Sequence, residues 1–264
     1  MRHVQQKGKK MSGHSKWQTI KHKKGAADAK RGKIFSKVAK EITFAVKQSG
    51  ADPDTNPTLR TLIAKGKASN MPNDNIDRAI KKGTGELAGD ILEEITYEGY
   101  AGGGVGLVVK VLTDNKNRAA SEIRNIFKKN NSEFATLGSV ARGFERQGTI
   151  MIPAEEGVTE DQVMEVALGA GADDMLTEED GFTISTQPNL FNEVCAALDE
   201  AGIKFDRENS EIGLVAIQTV PVKDLNVAKA CNKFITMLEE YEDVQDVYCN
   251  WDLDDSIVDA LEDE

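Results

Sequence analysis

The chain has 264 residues, 39% of them hydrophobic and 29% charged, the proportions of a water-soluble globular protein of two or three domains. No apolar run reaches the roughly 18 residues of a membrane helix. No apolar segment follows the basic first ten residues as a secretory signal requires, and Cys195, Cys231 and Cys249 lie too far apart for a C-x-x-C zinc or redox motif. Isolated thiols in apolar segments fit a reducing, cytoplasmic setting. The formal net charge of −11 conceals a division. Residues 1–90 carry 20 Lys and Arg against 8 Asp and Glu, residues 91–150 carry 8 against 7, and residues 151–264 carry 5 against 29. A chain so divided draws a polyanion to its front and repels it from its back.

Residues 1–24 read as a flexible basic arm, with Met11 a candidate natural start and residues 1–10 an upstream extension. From Met11 to Lys33 the chain runs MSGHSKWQTIKHKKGAADAKRGK, placing Lys16, Lys21, Lys23, Lys24, Lys30, Arg31 and Lys33 against one acid, Asp28. Like charges at this density repel one another and bury little, so the segment has no fold of its own. On a phosphate backbone each neutralised phosphate releases a counterion. His14, Trp17 and His22 add rings that stack on bases. The plainer alternative is a solvated tail.

Residues 25–90 read as a small three-helix domain. Ile34, Val38, Ile42 and Ala45 recur at helical spacing over residues 26–48, and Lys30, Lys33, Lys37, Lys40 and Lys47 gather on the other face. Asn56 with Pro57 is a cap followed by a first-turn proline, opening a second helix over residues 57–69. Pro72 breaks it, Asn73 or Asp74 caps a third, and Gly83 is expected to end that one.

From Glu94 the period changes to two, and residues 105–112 form a second strand. The glycine-rich link between them lacks the spacing of a phosphate-binding loop and joins strand to strand, which makes it a hairpin. Asn115, Lys116, Asn117 and Arg118 stand at a strand-to-helix junction, either as phosphate donors or as a capped turn. Residues 148–153, 159–168, 172–177, 181–186, 188–201 and a strand beginning at 204–206 give β-α-β-β-α-β, the ferredoxin-like pattern. A strand at 214–219, a helix at 225–241 and a strand at 244–251 need partners, as does the β-β-α of residues 94–129. The expected fold is therefore α+β, an N-terminal three-helix domain followed by two ferredoxin-like domains, one inserted in the other. Residues 91–145 with 209–252 form the discontinuous one, 146–208 the insert, and 253–264 an acidic tail that frays.

Catalytic patterns are absent. The histidines are His3, His14 and His22, all in the arm, where a general base has no fixed register. Acidic pairs such as Asp173 and Asp174 read as solvated turns before they read as metal ligands. No enzyme activity, metal or cofactor is expected.

MSGHSKWQTIKHKKGAADAKRGKIFSK, MPNDNIDRAIKKG, YEGY with its glycine loop, LTDNKNR and GSVARGFERQG together resemble the YebC family of bacterial regulatory proteins, from Met11 to about Trp251. The resemblance implies a cytoplasmic, non-enzymatic protein of one helical and two α+β domains. Members are described as DNA-binding transcriptional regulators. Relatives that include the mitochondrial translational activator of cytochrome oxidase are described as acting on the ribosome, some by relieving stalling on proline-rich sequences. The family's basic segment maps onto residues 15–24 and its second signature onto residues 71–82. The expected partner is nucleic acid, either DNA or, with the ribosome, ribosomal or transfer RNA, and neither a membrane nor a small-molecule substrate. The candidate contacts are His14, Lys16, Trp17, Lys21, His22, Lys23, Lys24, Lys30, Arg31, Lys33 and Lys37 from the arm and first helix. Asn73, Asn75 and Arg78 join them from the second signature, and Asn115, Lys116 and Arg118 from the junction.

Overall fold

Three helices, α1 (Asp28–Ser49), α2 (Pro57–Ala68) and α3 (Asn73–Thr84), open the computed structural model, which describes residues 28–89, 91–155, 157–178 and 181–262 apart from the side chains at 28–31, 255 and 262. Val38, Ile42 and Val46 of α1 pack with Leu59, Met71, Ile76 and Ala79. Asn56 caps α2 as its sequence position implies: its Oδ1 accepts from Leu59 N at 3.1 Å. Its Nδ2 donates to the carbonyls of Ala45 and Gly50, so one buried amide also ties α2 to the end of α1. Gly83 does not end α3. The helix continues to Thr84, and the left-handed cap is Gly85 at φ 83°. Gly83 instead faces α1, where an added Cβ would lie 2.6 Å from Val46 Cβ and 2.7 Å from the Thr43 carbonyl. It is glycine because the two helices touch there.

The first sheet has the order β3-β1-β2-β9. β1 (Glu93–Tyr100) and β2 (Gly106–Thr113) form an antiparallel hairpin, β3 (Glu133–Phe134) is a short edge, and β9 (Val244–Cys249) lies on the far side of β2. β2 is buried on both faces. Leu107, Val109 and Val111 face α4 (Lys116–Lys129) and α7 (Leu225–Glu239), in one core with Ile123, Phe127, Phe234 and Ile235. Val108 faces the other way, into a seam with Val140, Phe144, Ala216 and Tyr248. Double burial accounts for the unbroken apolar run GLVVKVLT.

The second sheet, of order β5-β6-β4-β7, is the ferredoxin-like unit. Its elements are β4 (Phe144–Pro153), α5 (Glu160–Gly169), β5 (Asp174–Glu178), β6 (Gly181–Thr186), α6 (Phe191–Glu200) and β7 (Glu211–Ala216). Ile150, Ile152, Ile184, Val163, Val194 and Leu198 fill its core. The chain enters this unit after β3 and returns to the first core at β8 (Val220–Val222), which pairs in parallel with β10 (Trp251–Leu253).

Three expectations are corrected. Residues 204–206 begin no strand: Asp206 accepts from the amides of Glu208 and Asn209, which makes a turn. The strand assigned to the discontinuous domain at 214–219 is β7. It pairs with β4 from Phe144↔Ala216 to Thr149↔Glu211, so the chain returns to the first sheet after Ala216 and not at 209. The described part of the expected frayed tail, residues 253–262, is ordered, because α8 (Asp255–Glu262) buries Ile257 and Leu261 in the first core beside Trp251. Cys231 and Cys249 are buried and Cys195 is half-buried, none of them in a disulfide.

One carboxylate joins the helical domain to the first sheet. Asp243, with a side chain 0% exposed, accepts from Lys40 Nζ at 2.7 Å and Arg118 Nη2 at 2.8 Å. It also accepts from Thr113 Oγ1 at 2.9 Å and the Tyr241 hydroxyl at 3.0 Å. Burial pushes its pKa up, but the bonds from Arg118, Lys40 and Thr113 outweigh that and hold it near 2. Beside it, Lys37 Nζ donates to the Glu239 carbonyl at 3.0 Å, a cation at the C-terminal end of α7. A second junction forms where Thr61 donates to Asn192 and Lys65 meets Glu211 at 3.8 Å. Glu41 lines the same space, a crevice of about 500 Å³. Burial there raises the Glu41 carboxyl to about 7 against the opposing pull of Lys65, with Asp246 and Glu211 adding to the rise.

Two outcomes follow from these junctions. Asp243→Asn leaves Lys40 and Arg118 without their buried counter-charge, and we expect a loss on the order of 3 kcal/mol in urea unfolding. The wild-type carboxylate contributes fully above pH 3.8 and fades as pH falls through about 2, so the variant's deficit narrows in acid. Glu41 has the opposite sign. The folded chain keeps a proton that the unfolded chain releases, so stability falls as pH rises from 4.5 to about 7. Glu41→Gln should flatten that slope and be the more stable protein at pH 8, by roughly 1–3 kcal/mol in thermal melts across pH 5–8.

Candidate nucleic-acid interface

Asn75, Arg78 and Lys82 recur at i, i+3 and i+7 on α3 and share a face, while Ile76, Ile80 and Gly83 turn toward α1. That polar face lines a cleft of about 450 Å³, closed opposite by Ser36 and Lys40 of α1 and by Asp114 and Arg118 at the β2–α4 turn. Glu242 stands at its rim. Four cations therefore converge from three elements. Lys40 and Arg118 are held by Asp243, and Arg118 also pairs with Asp114 at 2.7 Å. Arg78 and Lys82 are exposed and make no ion pair or side-chain hydrogen bond with another described residue.

The candidate residues divide by this geometry. His14, Lys16, Trp17, Lys21, His22, Lys23 and Lys24 lie outside the described residues. Lys30 and Arg31 fall in the first turn of α1, and their side chains are likewise outside what the structure describes. Lys33 is exposed, whereas Lys37 is committed to the end of α7, so the lysine face of α1 is in part an internal docking face. Asn73 is exposed at the start of α3; Asn75 and Arg78 enter the cleft. Asn115 caps α4, its Oδ1 accepting from Arg118 N at 3.1 Å, which is the capped-turn alternative. Lys116 pairs with Glu93 at 2.5 Å, with both side chains about half exposed.

Sequence reasoning missed Lys40, Lys82 and Asp243. Lys82 carried a signal, standing four residues after Arg78 on the same helical face. Asp243 carried none, because it sits among the acids of YEDVQD and looks like any of them.

Two further motifs form a staple. Glu98 of YEGY, 2% exposed, accepts from the amides of Gly138 at 2.6 Å, Val140 at 2.7 Å and Ala141 at 2.9 Å, all in GSVARGF. Burial raises its pKa, and the three amide bonds more than reverse the rise. Gly99 follows because an added Cβ would lie 2.2 Å from Phe127 Cε1. The glycine loop at 102–104 is a tight turn with Gly103 and Gly104 at φ 74° and 80°, closing the β1–β2 hairpin. Among the described residues, no helix is long and apolar enough to cross a membrane.

Two domain families cover most of the chain. The "TACO1/YebC protein N-terminal domain" matches residues 15–86, and the "TACO1/YebC second and third domain" matches residues 92–251. A "Probable transcriptional regulatory protein" of Treponema denticola is 52% identical over 240 residues, covering 91% of this chain and 96% of its own. One of Syntrophobacter fumaroxidans is 49% identical over 251 residues, covering 95% of this chain and 100% of its own. The crystal structure of a conserved hypothetical protein from Aquifex aeolicus superposes with a TM-score of 0.80 at 43% identity, over 89% of this chain and 96% of that one. On these matches, from the basic front to the last strand, the chain belongs to the TACO1/YebC family.

Proposed function

We propose that the protein is a non-enzymatic regulator of gene expression that works in the cytoplasm by binding nucleic acid, as a DNA-binding transcriptional regulator. The observation that carries this reading is the separation of charge. On the helical domain Lys33, Lys47, Lys67, Arg78, Lys81 and Lys82 are exposed, behind a stretch that adds six more Lys and Arg between Met11 and Arg31. On the ferredoxin-like unit the exposed charges are mainly acids, among them Glu160, Asp161, Glu165, Asp173, Glu193 and Glu200. A polyanion is attracted by one end and turned away by the other, which fixes its orientation. The arm supplies phosphate contacts through Lys16, Lys21, Lys23, Lys24, Lys30, Arg31 and Lys33, with Trp17 and His22 stacking. The relatives' name, "Probable transcriptional regulatory protein", supports the same class.

A second reading, a ribosome-associated translation factor that relieves stalling on proline-rich sequences, draws on α3. A helix that reads B-DNA must project into a major groove about 12 Å wide. The polar face of α3 lines a cleft instead, an arrangement suited to unpaired or structured RNA.

Replacing Lys21, Lys23 and Lys24 together by Glu should lower nucleic-acid affinity at least 100-fold while the melting temperature stays put. The slope of log affinity against log salt should shrink by about 0.7–0.9 for each phosphate that is no longer neutralised. Unchanged affinity would remove the arm from the function. Crosslinking with sequencing of the bound nucleic acid separates the two readings, by promoter fragments in one case and ribosomal RNA in the other.

A further inference from the structure

The cleft between α1, α3 and the β2–α4 turn has a composition that neither the arm nor the family match explains. We infer that it is a seat for the phosphodiester backbone of an unpaired nucleic-acid strand, gripped by Arg78 and Lys82 from the helical domain and by Arg118 from the first sheet. The inference rests on the nucleic-acid reading above and adds to it a specific site and a single-stranded ligand.

Size comes first. About 450 Å³ admits a phosphate with its flanking sugars and is too small to enclose a duplex. Donor geometry comes second. A guanidinium has five N–H donors and that of Arg118 has three protein partners, Asp114, Asp243 and the Tyr241 hydroxyl, so donors remain for a ligand. Its guanidinium is held by a buried carboxylate, so it meets a phosphate already positioned, with little side-chain entropy left to lose. Arg78 and Lys82 face it with no protein partner among the described residues. Charge comes third. Asp114 is neutralised by Arg118 and Asp243 is shared by Lys40 and Arg118, which leaves Glu242 as the carboxylate that opposes an incoming phosphate. Asp243 is thus a positioning residue for Arg118.

Because the two walls belong to different domains, the seat exists only while the helical domain is docked. A strand bound there bridges α3 and α4.

The test uses the full chain with labelled oligouridylate and oligothymidylate of about 10–15 nucleotides, long enough to cover one site. Arg78→Glu with Lys82→Glu should weaken binding at least 10-fold and reduce the salt slope by about 1.4, two phosphates at about 0.7 each for a single strand. Glu242→Gln should tighten binding several-fold, an effect that a purely structural role for the cleft would not produce. Lys47→Glu with Lys67→Glu, an equal charge reversal on exposed residues outside the cleft, should change affinity much less. If the first pair lowers the melting temperature, Arg78→Gln with Lys82→Gln keeps the stems and should show the same order of effects. Equal losses from the two charge-reversal pairs would reduce the effect to bulk electrostatics and overturn the seat. So would unchanged affinity in the cleft pair while the Lys21, Lys23 and Lys24 variant still loses binding, an outcome that leaves the proposed function standing. No binding of any nucleic acid by the wild-type chain would overturn both.

Discussion

A carboxylate removed from water costs several kcal/mol unless donors surround it, and Asp243 is surrounded by four. The donors come from α1, the β2–α4 junction and the turn before β9, three regions far apart in sequence. Each of these bonds alone would leave the charge under-compensated. The orientation of the helical domain on the sheet is therefore set by an electrostatic requirement as much as by apolar contact. The apolar cores are separate on the two sides of this joint, with Ile42 and Leu59 in one and Val109 and Phe234 in the other.

The same requirement sorts the lysines of α1. Lys37 and Lys40 point at carbonyls and a carboxylate of the C-terminal region, while Lys33 and Lys47 meet solvent. One helix face thus holds two kinds of cation that composition cannot tell apart. The acidic second half of the chain is not only a repelling surface, because some of its acceptors are the anchors on which the basic front half rests. The Glu98 staple follows the same rule at smaller scale: a buried charge is satisfied by three amides, and two distant motifs are held together as a result.

What was legible in the sequence was local. Asn56 followed by Pro57 marked a helix start, and the β1–β2 hairpin followed from a change of period across a glycine turn. The first five elements, β-α-β-β-α, marked the ferredoxin-like unit, whose last strand is β7 and not residues 204–206. What escaped was non-local. β7 has Ile212 packed against one core and Leu214 against another, so its alternation did not say which sheet it joins. Gly83 looked like a helix stop because nothing in the sequence shows that Val46 passes within 2.6 Å of the place its side chain would take. Ile257 and Leu261 were hidden by the acids around them. The cleft needed α3 and the β2–α4 turn to be brought face to face, which is the work of Asp243.

The sheet order β3-β1-β2-β9 has a bearing on synthesis. The ferredoxin-like unit has all its strands once Ala216 has left the ribosome, and it can close at once. The first sheet cannot, because the far edge of β2 waits for Val244–Cys249 near the end of the chain. Until Asp243 emerges, Lys40 and Arg118 have no buried acceptor. In order of synthesis, then, the strands of the inner unit are complete before the cationic front has its anchor.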